Sequence, residues 1–264
     1  MKNFLLFFFI AFTVPLSAQI GGLSASKISS FCTTVVGHNA IEFEPSFTST
    51  VSRKAWDSNS DMYNLYSTSD SMSHLSAMNF RFTYGLWDKL EIGLSVSSIM
   101  SAASIGARYI IVTNDKFGIA AIAGLNMPMG NQTVDKSLRN TSNMYKAGLG
   151  LVTTYNFSDN LSIDFTGQYS YFLRETDDNN KGGVYLNSDI GYYVLNKKLQ
   201  LITGVGFYNI RNDIGNHQIL TMYPGLEISP GGDFLIIMSV PFDVYGRNEA
   251  KNVGFLFALT LTFN

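Results

Sequence analysis

Read in steps of two, the last stretch of the chain places Val253, Phe255, Phe257, Leu259, Leu261 and Phe263 on one side and Gly254, Ala258, Thr260 and Thr262 on the other. Strict alternation of this kind predicts a strand with one apolar face and one permissive face, ending in an aromatic residue. The pattern recurs upstream. Ile41, Phe43, Pro45 and Phe47 alternate with Glu42, Glu44, Ser46 and Thr48, and Met78, Phe80, Phe82 and Tyr84 alternate with Asn79, Arg81 and Thr83. Leu90, Ile92, Leu94 and Val96 oppose Glu91, Gly93, Ser95 and Ser97, and the short link Gly85–Lys89 makes these two segments a hairpin. Further strands follow around Ile105–Ile111, Phe117–Leu125, Tyr145–Tyr155, Leu161–Tyr171, Val184–Val194, Leu199–Phe207, Leu220–Ile228 and Phe234–Phe242.

The links alternate in length. Tight turns at Thr113–Lys116, Ser158–Asn160, Asn196–Lys198 and Pro230–Asp233 are interleaved with polar loops at Arg53–Ser73, Met127–Asn143, Arg174–Gly182, Arg211–Asn216 and Tyr245–Lys251. Twelve strands of about nine to thirteen residues result, near the roughly 9 to 11 that cross a bilayer at a steep tilt. An even number of strands puts both termini at the short-turn end, which is the periplasmic end in an outer-membrane barrel. The expected fold is therefore all-β, a transmembrane antiparallel barrel of about 12 strands spanning residues 41–264.

Composition sharpens this choice. Charged residues make up 14% of the chain, against roughly 25% in an ordinary soluble protein. A carboxylate pointing into lipid is costly, so the face carrying Glu42 and Glu44 must be the lumen. By the same phase Arg81, Glu91, Arg108, Lys146, Asp164, Asp189, Glu227 and Asp243 also point inward. These ten residues are the candidate constriction, with two readings open: a mutually neutralised interior that stabilises the wall, or a filter that screens solutes by size and charge. Inward Ile122, Ile202, Leu235 and Ile237 leave room for an apolar lining.

Residues 1–18 read as an export signal, with Lys2 at the positive end, Leu5 to Val14 as the apolar core and a cleavage site after Ala18. Residues 19–40 lack sustained periodicity and read as an irregular periplasmic N-terminal segment, or as one tucked into the barrel mouth. Cys32 is the single cysteine, so it has no intramolecular disulfide partner. Net charge is −2, without the basic footprint of a nucleic-acid binder. The sequence has no phosphate-binding glycine loop, no histidine cluster at metal spacing and no calcium loop, so no cofactor is expected and the metal and catalytic sites are left empty.

Three short motifs carry a family resemblance. Phe82 to Leu94 (FTYGLWDKLEIGL) resembles the tyrosine-glycine-leucine, turn, leucine-glutamate-leucine-glycine-leucine signature of the outer-membrane proteins named for the meta-cleavage pathway of phenol degradation. Gly124 to Gly130 (GLNMPMG) is similar to that family's strand-ending leucine-proline-x-glycine, with Met129 where threonine is commoner. Gly37 to Glu44 (GHNAIEFE) is similar to the segment opening its first strand.

The resemblance implies a transporter-like barrel passing small hydrophobic or aromatic solutes by passive diffusion. Its expected partners are outer-membrane lipid, a small-molecule solute and the barrel-assembly machinery, which would read the C-terminal strand. Two other classes share the wall: a structural or ligand-binding barrel without transport, and an outer-membrane hydrolase. The hydrolase would need a nucleophile beside His74 or His217, neither of which lies in a recognisable hydrolase motif.

Overall fold

The computed structural model describes residues 20–24, 27–67, 71–98, 102–129, 145–173, 182–211, 215–231 and 233–264. The expected export signal and most of the loops expected at 127–143 and 174–182 lie outside the described residues. Fourteen strand segments occur among the described residues: β1 (Ile41–Trp56), β2 (Met62–Asn64), β3 (Ser73–Trp87), β4 (Leu90–Ser97), β5 (Ala102–Thr113), β6 (Phe117–Pro128), β7 (Lys146–Ser158), β8 (Leu161–Phe172), β9 (Gly182–Val194), β10 (Leu199–Arg211), β11 (Asn216–Ile228), β12 (Phe234–Ser239), β13 (Phe242–Arg247) and β14 (Glu249–Phe263).

Every pairing between these strands is antiparallel, and each wall strand pairs with its sequence neighbours. The ring closes where β14 pairs with β1, from Ile41 opposite Phe263 to Trp56 opposite Glu249. Two segments reduce the fourteen to twelve wall strands. β2 pairs with the far end of β1 alone. β12 and β13 are halves of one wall strand between β11 and β14, interrupted at Val240 and Pro241. Proline has no N–H to give to the ladder, which explains the break there. Gly254 N–H still bonds the Pro241 carbonyl at 2.8 Å, so the seam is bridged. The chain is thus the closed twelve-stranded barrel that the alternation predicts, and closure leaves the wall without an open edge.

The pleat sorts side chains between two solvents. On β9, Leu186, Ile190 and Tyr192 are exposed on the outer face, while Tyr185, Asn187 and Asp189 are buried on the inner one. Leu149, on the outside of β7, is 69% exposed, whereas Glu91, Arg108 and Asp189 are fully buried. This inverts the arrangement of a soluble domain and suits a wall with hydrocarbon outside.

Loop boundaries differ from the sequence reading by one or two residues at Met127–Pro128, Gly182, Arg211 and Asn216, which are strand, and by more at two other places. The expected loop at Tyr245–Lys251 is strand, with β13 and β14 joined by Asn248 alone, at φ 52°. The expected loop at Arg53–Ser73 is shortened because β1 continues to Trp56 and β2 folds back onto it. In both extensions successive residues are buried alike, Ala55 with Trp56 and Glu249 with Ala250, so alternation ceases to report the strand.

Candidate functional site in the lumen

Residues 20–24 and 27–36 form no strand or helix and lie inside the barrel. From Ala40 the chain passes His38, which bridges to Gly85 at the short-turn end, and runs back along the lumen. Ile20, Leu23, Lys27, Phe31 and Val36 are all buried. A segment without secondary structure must find other partners for its amides. Here wall side chains supply them.

Ile20 N–H donates to Gln168 Oε1 at 2.9 Å, Ser24 N–H to Glu91 Oε1 at 3.0 Å and Val36 N–H to Glu91 Oε2 at 2.9 Å. Three successive amides, those of Ile28, Ser29 and Ser30, converge on Asp189 Oδ2 at 3.0, 2.7 and 2.8 Å. Phe31 and Thr33 donate to the hydroxyls of Thr166 and Thr154. In return, Thr83 Oγ1 donates to the Gly22 carbonyl and Arg108 to the Cys32 carbonyl.

Space for the segment comes from a row of inward glycines. Gly93, Gly106, Gly124 and Gly148 are successive register partners across β4 to β7. A Cβ on Gly93 would lie 1.6 Å from the Gly22 carbonyl oxygen, and one on Gly124 would lie 2.5 Å from an Ile20 methyl. Below this row Ile20, Leu23 and Phe31 pack with Ala120, Ile122 and Val152 into an apolar cluster. Ile202 and Ile237, from the expected apolar lining, are also buried, and Ile28 approaches Gly225.

The ten residues nominated from the alternation separate into groups rather than one ring. Arg81 pairs with Glu42 and with Glu44, each at 2.6 Å, while Thr260 donates to Glu44 at 2.6 Å, all within the wall. Arg108 pairs with Glu91 at 2.8 Å, also reaches Ser24 Oγ, and sits over the Phe31 ring. Asp164 holds Lys27 at 2.5 Å and accepts from Thr154 at 2.6 Å. Asp189 takes the three amides already described.

The remaining three nominated residues stand apart from these groups. Asp243 accepts from Thr221 Oγ1 at 2.5 Å and from the Asn252 amide at 2.8 Å. Glu227 is buried opposite Gln200 and Ile237. Lys146 is buried with its ammonium 5.1 Å from the Phe172 ring centre.

Alternation identified the wall acceptors and missed their partners. Lys27 was the detectable one, since it is the single Lys, Arg, Asp or Glu between Gln19 and Ala40. Ser24, Ser29 and the backbone amides carried no signal, because any polar segment offers them.

The two nominated histidines meet different partners. His74 Nε2 lies 2.9 Å from Ser49 Oγ, but on the exposed outer face, with no carboxylate paired to it among those residues. His217 faces Glu249 at 3.3 Å. Among the described residues, no group of three His, Cys, Asp or Glu side chains could hold a metal ion.

The architecture has solved counterparts. The fold is similar to that of an outer-membrane channel from Pseudomonas putida F1, at 13% identity and a TM-score of 0.70, covering 88% of this chain and 98% of that one. It is also similar to the KdgM porin, at 11% identity and a TM-score of 0.52 over 85% of this chain and 99% of that one. The NanC porin gives 8% identity and a TM-score of 0.53 over 81% of this chain and 98% of that one. No curated protein matches the chain. A family model described as "Putative MetA-pathway of phenol degradation" matches residues 101–259, more than half of the sequence, and the chain belongs to that family.

Proposed function

We propose that this protein is an outer-membrane channel that passes small hydrophobic or aromatic solutes by passive diffusion, beside an N-terminal segment that keeps the lumen from being a wide aqueous pore. The observation that carries this reading is the filled lumen, in which the apolar cluster of Ile20, Leu23, Phe31, Ala120, Ile122 and Val152 takes the place of water. A sugar moving past that cluster would leave hydroxyls without partners, at about 1–3 kcal/mol each. An aromatic ring would exchange one apolar contact for another, at about 25 cal/mol for each Å² kept from water. Export by residues 1–18, assembly through recognition of β14 and residence in the outer membrane belong to the same reading.

The test is flux into proteoliposomes holding the purified full-length protein, with probes that the bilayer itself holds back. Benzenesulfonate and phenylalanine should enter faster than arabinose. Equal rates for all three would replace the reading with a general pore, and no flux of any would replace it with a structural barrel.

A further inference from the structure

The inward cations are not alike. Arg81 is held by Glu42 and Glu44, Arg108 by Glu91, and Lys27 by Asp164. Lys146 is as buried as these, yet among the described residues no carboxylate pairs with it, and its ammonium meets the face of Phe172 instead. Burying an ammonium without a counterion is unfavourable, and a ring face offsets only part of that cost. Its neighbours are also incompletely used. Asn126, the register partner of Lys146 on β6, has a buried Oδ1 without a hydrogen-bond partner.

Lys146 opens β7 and Phe172 closes β8, so both stand at the long-loop end of the lumen, directly opposite each other in register. One inward position further down, Gly148 faces Ile20, the first described residue of the N-terminal segment. The surroundings are therefore a cation, an aromatic face, an amide with an unused end and an apolar floor, above the segment that fills the barrel.

We propose that Lys146, Asn126 and Phe172 form a binding site at the loop end of the lumen for the carboxylate of a small aromatic acid. The carboxylate accepts from the Lys146 ammonium. Asn126 donates its amide N–H₂ once its two ends are exchanged, an assignment that the hydrogen-bond partner decides. The ligand ring packs between Phe172 and Ile20, where ring-on-ring contact adds to apolar burial. This site rests on the reading of the lumen as a solute path, since it would be the first station met from the loop end. It makes that reading narrower by naming an aromatic monoanion.

Binding to the detergent-solubilised full-length protein tests the site separately from flux, using benzoate, its neutral isostere benzamide, and acetate. Wild type should bind benzoate at least tenfold more tightly than benzamide or acetate. Lys146→Gln should abolish that preference, and Lys146→Arg should keep it. Asn126→Asp, which sets a carboxylate beside Lys146, should exclude benzoate while the barrel retains its heat-modifiable migration. That variant serves even if Lys146→Gln does not fold.

No benzoate binding by wild type, equal binding of benzoate and benzamide, or binding indifferent to Lys146→Gln and Asn126→Asp would each overturn the site. Acetate binding as tight as benzoate would overturn its aromatic part. Selective aromatic flux with no Lys146-dependent binding would sink the site and leave the channel. Lys146-dependent binding without flux would do the reverse.

Discussion

Two regions of the inner wall use the same side-chain types to different ends. At the closure seam, Arg81 on β3 sits between Glu42 and Glu44 on β1, and Thr260 on β14 donates to Glu44. Those charges tie three strands together and are complete within the wall. On β4, β8 and β9, Glu91, Asp164 and Asp189 receive backbone amides of Ser24, Ser29 and Val36 and the side chain of Lys27. That second set is complete only while the N-terminal segment is in place. Inward charge on a barrel therefore does not by itself mean a pore or a filter. What it does depends on which element supplies the opposite partner.

The largest expected effect falls on the seam. Arg81→Ala leaves Glu42 and Glu44 buried together without their cation, at a cost of about 3–5 kcal/mol. The barrel should lose its heat-modifiable migration at a clearly lower temperature, while Cys32, buried in the segment, stays closed to a maleimide in the folded fraction. Asp189→Ala should do the opposite. It strands three amides at about 1–3 kcal/mol each, so Cys32 should become labelled and conductance should rise with little change in the barrel's own melting. If both variants expose Cys32 equally, the distinction between the two regions is wrong.

Lys27→Met is the next step down. Asp164 would keep its bond from Thr154 but lose a charged partner at about 1.5–3 kcal/mol. Adding Asp164→Asn should return Cys32 labelling towards wild type, and a double-mutant cycle with no coupling would remove this pair from the grip on the segment. Smallest is Gly93→Ala, which places a methyl where the Gly22 carbonyl lies. Overpacking of this kind costs about 1–3 kcal/mol, here taken up by displacing the segment. The expected readout is a modest rise in Cys32 labelling on an unchanged barrel; lowered barrel stability with Cys32 still closed would show that the wall yields instead.

Legibility in the sequence followed the number of solvents that a strand meets. Along β14 the residues from Val253 to Phe263 lie between hydrocarbon and lumen, so every second side chain had to be apolar and the phase could be read directly. Ala55, Trp56 and Tyr245 to Lys251 continue strands without that alternation, and their mixed composition looks like a loop. The inward set was legible as far as its members' faces, because a charge on a wall strand has one affordable side. The grouping of that set was not legible. It depends on shear between strands and on Lys27, Ser24 and eight backbone amides of a segment that has no period of its own.

By itself the sequence determined the wall: twelve alternating strands, their inner and outer faces, and the residue types confined to each, since these follow from local pleat geometry and the cost of charge in lipid. Only the tertiary structure decided that residues 20–24 and 27–36 fill the lumen, that Arg81 closes a seam while Asp189 grips a segment, and that Lys146 meets no carboxylate among the described residues. Those outcomes depend on which side chains meet across strands, from Arg81 with Glu44 at a separation of 37 residues to Thr260 with Glu44 at 216, which no local pattern records.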